Sequence, residues 1–184
     1  MEKQARQSLI YLTGFMGSGK STIGPILANT LGYSYLDIDG EIERITGKRV
    51  TEIFLDEGEP YFRTVERSIL EKYRTSSRQV ISLGGGTIAN NENLAIIKSS
   101  GLLVYLKADL ENIFHRLKFK TDRPLLHAPD GTTLDDDELR KRITEILAVR
   151  EPYYRQADIV IQTADRRIGL TVDELVRILT PLIE

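Results

Sequence analysis

Residues 9–31 restrict what this chain can fold into more than any other stretch. The apolar run Leu9-Ile10-Tyr11-Leu12 leads into Gly14-Phe15-Met16-Gly17-Ser18-Gly19-Lys20-Ser21, and a helical pattern of Ile23, Ile26, Leu27 and Leu31 follows at once. Strand, glycine-rich loop and helix in that order give a G-x-x-x-x-G-K-[ST] match its structural meaning. The glycines let successive backbone N–H groups turn inward around a polyphosphate, and the helix N-terminus adds its positive end. Gly17, Ser18, Gly19, Lys20, Ser21 and Thr22 are therefore the candidate cradle for the phosphates of a nucleotide. Lys20 is placed to reach the β- and γ-phosphates as a catalytic cation, and the Ser21 hydroxyl to ligate Mg²⁺. A flexible turn with a stray lysine is the competing account, and the flanking strand and helix count against it.

The remaining chain alternates short apolar strands with helices. Strands are expected at Tyr33–Leu36, Val80–Leu83, Leu102–Leu106 and Asp158–Gln162. Helices are expected at Glu41–Thr46, Thr51–Leu55, from Pro60 through Leu70, at Leu94–Lys98, from Asp109 through Leu117, from the acidic run at Asp135 to about Arg150, and at Thr171–Leu182. Pro25 lies past the first turn of its helix and predicts a local kink. The pattern predicts an α/β three-layer sandwich around a five-stranded parallel sheet with right-handed crossovers. With 184 residues the simplest organisation is one domain spanning 1–184. Periodicity vanishes between about residues 119 and 135, and a stretch that long without pattern reads as a mobile lid.

Composition mainly excludes. A formal charge of −2 gives no electrostatic reason to expect nucleic acid, and there is no cysteine for disulfides or thiolate chemistry. No run approaches membrane-spanning length, and the polar lead Met1–Gln7 lacks a signal-peptide core, so a cytoplasmic protein is expected. The run Asp135-Asp136-Asp137-Glu138 suits a helix N-terminus better than a metal cluster. His115 and His127 have no partner at metal-ligand spacing and receive no catalytic role.

In parallel sheets ligands collect beyond the carboxyl ends of the strands. The first strand ends at the phosphate loop, the second at Asp37 and Asp39, the third at Gly84-Gly85-Gly86, so all three point into one crevice. Two carboxylates spaced i, i+2 can divide the work, one supporting Mg²⁺ and the other meeting a substrate hydroxyl. Three consecutive glycines leave room for a ligand against bare backbone. Arg123 lies inside the irregular segment, where a lid arginine can stabilise charge on a transferring phosphoryl group. Arg63 and Arg150, taken alone, read as surface arginines.

The ordered set resembles the shikimate kinase family. It runs through Gly14–Ser21, Asp37-Ile38-Asp39, Gly58-Glu59 with Phe62-Arg63 and Glu66, Gly84-Gly85-Gly86, Arg123-Pro124-Leu125-Leu126 and Arg150-Glu151-Pro152-Tyr153-Tyr154-Arg155. The resemblance implies an adenylate-kinase-like P-loop kinase with a lid, catalysing ATP-dependent phosphorylation of the 3-hydroxyl of shikimate in the route to chorismate and the aromatic amino acids. It further implies Asp39 on the ring hydroxyls and acting as base, and Asp37 supporting Mg²⁺ through water. Arg63 and Arg150 would hold the shikimate carboxylate, with Gly84, Gly85 and Gly86 along the ring. Arg123 would close with the lid, while Arg116 and Arg167 would meet the nucleotide base. A monomer binding only ATP, Mg²⁺ and shikimate is expected. Two features depart from the family pattern: Pro25 inside the first helix, and a longer segment from His127 to Asp136.

Rival readings are testable. A gluconate-type polyol kinase would keep the loop and change the acceptor pocket, and the two arginines with three glycines suit a flat ring acid better. An adenylate kinase needs a second base pocket. A GTP switch finds a D-x-x-G match at Asp37–Gly40 but has no Asn-Lys-x-Asp to read guanine.

Overall fold

The computed structural model describes residues 8–119, 134–163 and 166–183. Five parallel strands, β1 (Leu9–Thr13), β2 (Ser34–Asp37), β3 (Gln79–Ser82), β4 (Leu102–Lys107) and β5 (Ile159–Gln162), lie in the order β2-β3-β1-β4-β5. β1 is central, registered with Leu9 on Gln79 of β3 and Ile10 on Leu102 of β4. All five of its residues are buried, as a strand covered on both faces requires.

Alternating side chains divide the core in two. Leu9, Tyr11, Ile81, Leu103 and Tyr105 join Ile42, Phe62, Ile69, Ile113 and Ile143 on one face. These come from α2 (Ile38–Thr46), α4 (Gly58–Tyr73), α6 (Leu110–Leu117) and α7 (Asp136–Tyr154). Ile10, Leu12, Val80, Val104 and Leu106 join Ile23, Leu27, Val172, Leu175 and Leu179 on the other, from α1 (Lys20–Leu31) and α8 (Ile168–Ile183). The three-layer sandwich is as expected. The described elements are completed by α3 (Val50–Asp56), a 3₁₀ turn (Thr87–Ala89) and α5 (Asn91–Ser100). α1 packs closely on β2: a Cβ at Gly24 would stand 2.5 Å from Cε2 of Tyr35.

Several helix limits differ from the sequence reading, each for a local reason. α2 begins at Ile38 rather than Glu41, because the Asp37 carboxylate accepts the Gly40 N–H at 3.1 Å and caps it. Asp39 therefore sits in the first turn of a helix, not on a strand end. α4 begins at Gly58, which puts Pro60 third in the helix, where its missing N–H still costs no intrahelical bond. α7 continues through Pro152 to Tyr154, so Arg150 stands a turn inside it. α1 likewise continues through Pro25 to Leu31. The acidic run is a cap: the Asp135 carboxylate accepts from the N–H groups of Asp137 and Glu138. Among the described residues no group of His, Asp and Glu forms a metal cluster, and no helix is long and apolar enough to cross a membrane.

One buried acid ties α2 to α4. Glu41, 6% exposed, accepts from Arg44 Nε at 2.7 Å and Nη2 at 2.8 Å, and from the Tyr73 hydroxyl at 3.0 Å. The Arg44 hydrogen bonds hold its carboxyl down to about 2 from an ordinary 4.5, against the opposing effect of burial. A depressed folded-state value stabilises the protein above the ordinary pKa and the contribution disappears as pH falls through the folded value. Glu41→Gln is expected to lower Tm at neutral pH, and the gap to the parent should narrow between pH 4.5 and about 2. Thermal melts across that range check it.

Candidate active site

A cavity of about 460 Å³ opens at the carboxyl ends of the strands. The loop residues Met16–Thr22 line one side, Asp37, Asp39, Gly84 and Gly85 the other, with Arg116, Thr163 and Arg166 around the rim. Gly14 turns the chain out of β1 at φ 143°, and a Cβ there would lie 2.5 Å from the Leu106 carbonyl oxygen, so only glycine passes under β4. Lys20 Nζ donates to the carbonyls of Gly14 at 2.7 Å and Phe15 at 3.1 Å, which folds the ammonium back over its own loop. Two further groups brace the loop from outside. Arg116 donates to the Gly17 carbonyl at 2.7 Å, and the Thr163 hydroxyl lies 3.0 Å from the Ser18 carbonyl.

Ser21 is exposed in the first turn of α1, and Asp37 lines the same cavity with the Tyr35 hydroxyl 3.3 Å from its Oδ2. A hydroxyl and a carboxylate are hard oxygen donors. Two such protein groups, with the other positions left to water and phosphate oxygens, suit Mg²⁺ bound with a nucleotide and not an all-protein cage. The residues fit that ion.

Charged side chains crowd around the glycine triplet at the end of β3. A Cβ at Gly84 would lie 3.0 Å from Asp39 Oδ1 and 3.4 Å from Glu66 Oε1. One at Gly86 would lie 2.8 Å from Arg63 Nη2 and 3.3 Å from Arg150 Nη2, and one at Gly85 would lie 3.2 Å from Arg150 Nη1. Two guanidinium groups on different helices thus converge on bare backbone. Any side chain here would occupy the space between the cations. Arg63 and Arg150 stand outside the lining of the large cavity, with Gly85 as the link.

Arg63 is itself held. Its Nη1 donates to Glu66 Oε2 at 3.0 Å, and its Nη2 to Glu59 Oε1 at 2.9 Å. Glu66 is fully buried and also accepts from the Thr87 hydroxyl at 2.6 Å. Burial opposes the charge on Arg63, but the Glu66 and Glu59 carboxylates outweigh it and raise its pKa. The i, i+3 spacing of Arg63 and Glu66 was the available signal for this pair. Thr87 and Asn93, which donate to Glu66 and the Thr87 carbonyl, gave none in the sequence.

Arg166, which lines the cavity together with Arg116, is paired with Glu174 of α8. Arg167 is exposed beyond the cavity, and its carbonyl accepts the N–H groups of Leu170 and Thr171 at the start of α8. Adjacent arginines cannot be told apart by pattern alone. Arg123, His127 and residues 120–133 of the expected lid lie outside the described residues.

A family model described as shikimate kinase matches residues 16–180. The chain belongs to the shikimate kinase family. The shikimate kinase of Chlorobaculum tepidum is 51% identical over 170 residues, covering 92% of this chain and 89% of the relative. Among solved structures, the shikimate kinase from Bacteroides thetaiotaomicron has a TM-score of 0.84 at 32% identity, covering 95% of this chain and 99% of the other. The shikimate kinase from Acinetobacter baumannii, solved in complex with shikimate, has a TM-score of 0.82 at 36% identity, covering 97% and 96%. In shikimate kinase terms, the α/β fold expected from the sequence is the family's own.

Proposed function

We propose that this chain transfers the γ-phosphoryl group of ATP to the 3-hydroxyl of shikimate, giving shikimate 3-phosphate, through the cleft described above. The reaction is that of its family. The observation supporting this site is that Lys20, Asp37, Asp39, Gly84 and Gly85 border one cavity. Gly17 to Thr22 would cradle the phosphates, with Arg116 and Arg166 toward the base. Mg²⁺ would supply charge neutralisation between the β- and γ-phosphates, held by Ser21 and, through water, by Asp37.

On arrival of the triphosphate, Lys20 exchanges the Gly14 and Phe15 carbonyls for phosphate oxygens. Asp39 receives the proton of the attacking hydroxyl. Arg63 and Arg150 fix the acceptor carboxylate, which orients that hydroxyl toward the γ-phosphorus. Arg123 is retained as the group that closes over the reaction, on the family resemblance and its place between α6 and α7. A monomer in the cytoplasm, with no nucleic acid or membrane partner, is part of the same reading.

An ADP-release assay with shikimate, gluconate and AMP as acceptors tests it. Turnover confined to shikimate is expected, and equal or greater turnover of another acceptor would overturn the assignment. Arg63→Ala should chiefly raise KM for shikimate. A charge-assisted pair to a carboxylate is worth roughly 1.5–3 kcal/mol, or about ten- to a hundredfold in KM. Initial-rate kinetics varying each substrate check this, and a change confined to ATP would move the acceptor pocket elsewhere.

A further inference from the structure

We propose that Tyr154 is a positioning residue for acceptor binding, tethering the Gly85–Gly86 peptide in place beside the Arg150 guanidinium. The proposal rests on the acceptor site assigned above and deepens it. Tyr154 closes α7 one turn after Arg150, so the two side chains leave the helix on the same face. Its hydroxyl donates to the Gly85 carbonyl at 2.5 Å, and a Cβ at Gly85 would lie 3.2 Å from Arg150 Nη1 and 3.7 Å from that hydroxyl, so the three groups meet at one point.

The glycine triplet needs such a tether. Three residues without Cβ leave space for a ligand, but they also leave the backbone free to sample conformations that other residues exclude. Pinning the Gly85 carbonyl fixes the plane of the Gly85–Gly86 peptide, and therefore the direction of the Gly86 N–H, because the unit is planar and trans. None of the three glycines can supply that restraint itself.

The tether is rigid for a readable reason. The Tyr154 ring is completely covered and stacks on Tyr105, with centroids 5.0 Å apart and planes at 28°. The Tyr105 hydroxyl takes no part in the tether and bonds Glu151 Oε2 at 2.5 Å. Burial pushes the Tyr154 phenol up to about 12, with Arg150 pulling the other way, so it remains a hydrogen-bond donor at neutral pH. Neither ring can turn without breaking the stack.

The experiment compares Tyr154→Phe with Tyr105→Phe in steady-state kinetics on shikimate and ATP. Both variants keep their rings, and only the first loses the bond to Gly85. Tyr154→Phe is expected to raise KM for shikimate about fivefold or more, the size of one lost hydrogen bond. Its kcat and its KM for ATP should stay within about twofold, and Tyr105→Phe should leave all three near the parent. An unchanged KM for shikimate in Tyr154→Phe overturns the proposal. So does an equal rise in both variants, which would mean general loosening of α7, and so does failure of Tyr154→Phe to fold, which would make its role support of the core. If the parent turns over shikimate, those outcomes remove Tyr154 alone; if it does not, the acceptor assignment falls with it.

Discussion

Asp39→Asn is expected to lower kcat about a hundredfold or more while leaving ATP affinity within about twofold. The substitution keeps the side chain's shape against Gly84 and removes its capacity to take a proton. Asp39 lies in the first turn of α2, whose positive end favours a carboxylate there, and it borders the cavity that also contains Lys20. A modest base suffices in this position, because phosphoryl transfer passes through a loose transition state governed mainly by positioning and charge. Rapid-quench turnover with saturating substrates, together with an equilibrium ATP titration, measures the two effects separately. Unaltered turnover would take Asp39 out of the chemistry.

Lys20→Ala should abolish measurable transfer, a loss of about a thousandfold or more, whichever acid is offered. Its ammonium is already gathered over the loop by the Gly14 and Phe15 carbonyls, so the charge arrives with little rearrangement. The substitution also removes two ties within the loop. A melting curve therefore belongs beside the kinetics: a Tm close to the parent's with no turnover locates the loss in the chemistry. Residual activity within tenfold of the parent would contradict the role given to this lysine.

The phosphate loop was legible because strand, glycines, lysine and helix are contiguous, and contiguous signals need no tertiary information. The sheet was legible for a related reason: β1, β3 and β4 are short, largely apolar and covered on both faces. Helix limits were harder. Pro152 reads as a stop, yet α7 passes through it, because one missing N–H on a long packed helix is outweighed by the contacts of the residues beyond it, Tyr154 among them. The convergence of two arginines on the glycine triplet was visible only through family resemblance. Arg63 and Arg150 are on different helices far apart in the chain, and their meeting over Gly86 depends on how α4 and α7 pack. That Arg166 lines the cavity and Arg167 does not marks the limit of pattern reading, since identical neighbours differ only in which way the backbone turns them.

The central place of β1 has a consequence for synthesis. The phosphate-loop sequence leaves the ribosome well before the strands that flank β1, the later of which is β4, ending at Lys107. Until β4 has emerged, Gly14 has no Leu106 carbonyl to pass beneath and the loop has only half its frame. Nascent chains stalled before that point would carry the motif without nucleotide affinity, so the capacity to bind ATP is acquired late and reports that both neighbours of the first strand are in place.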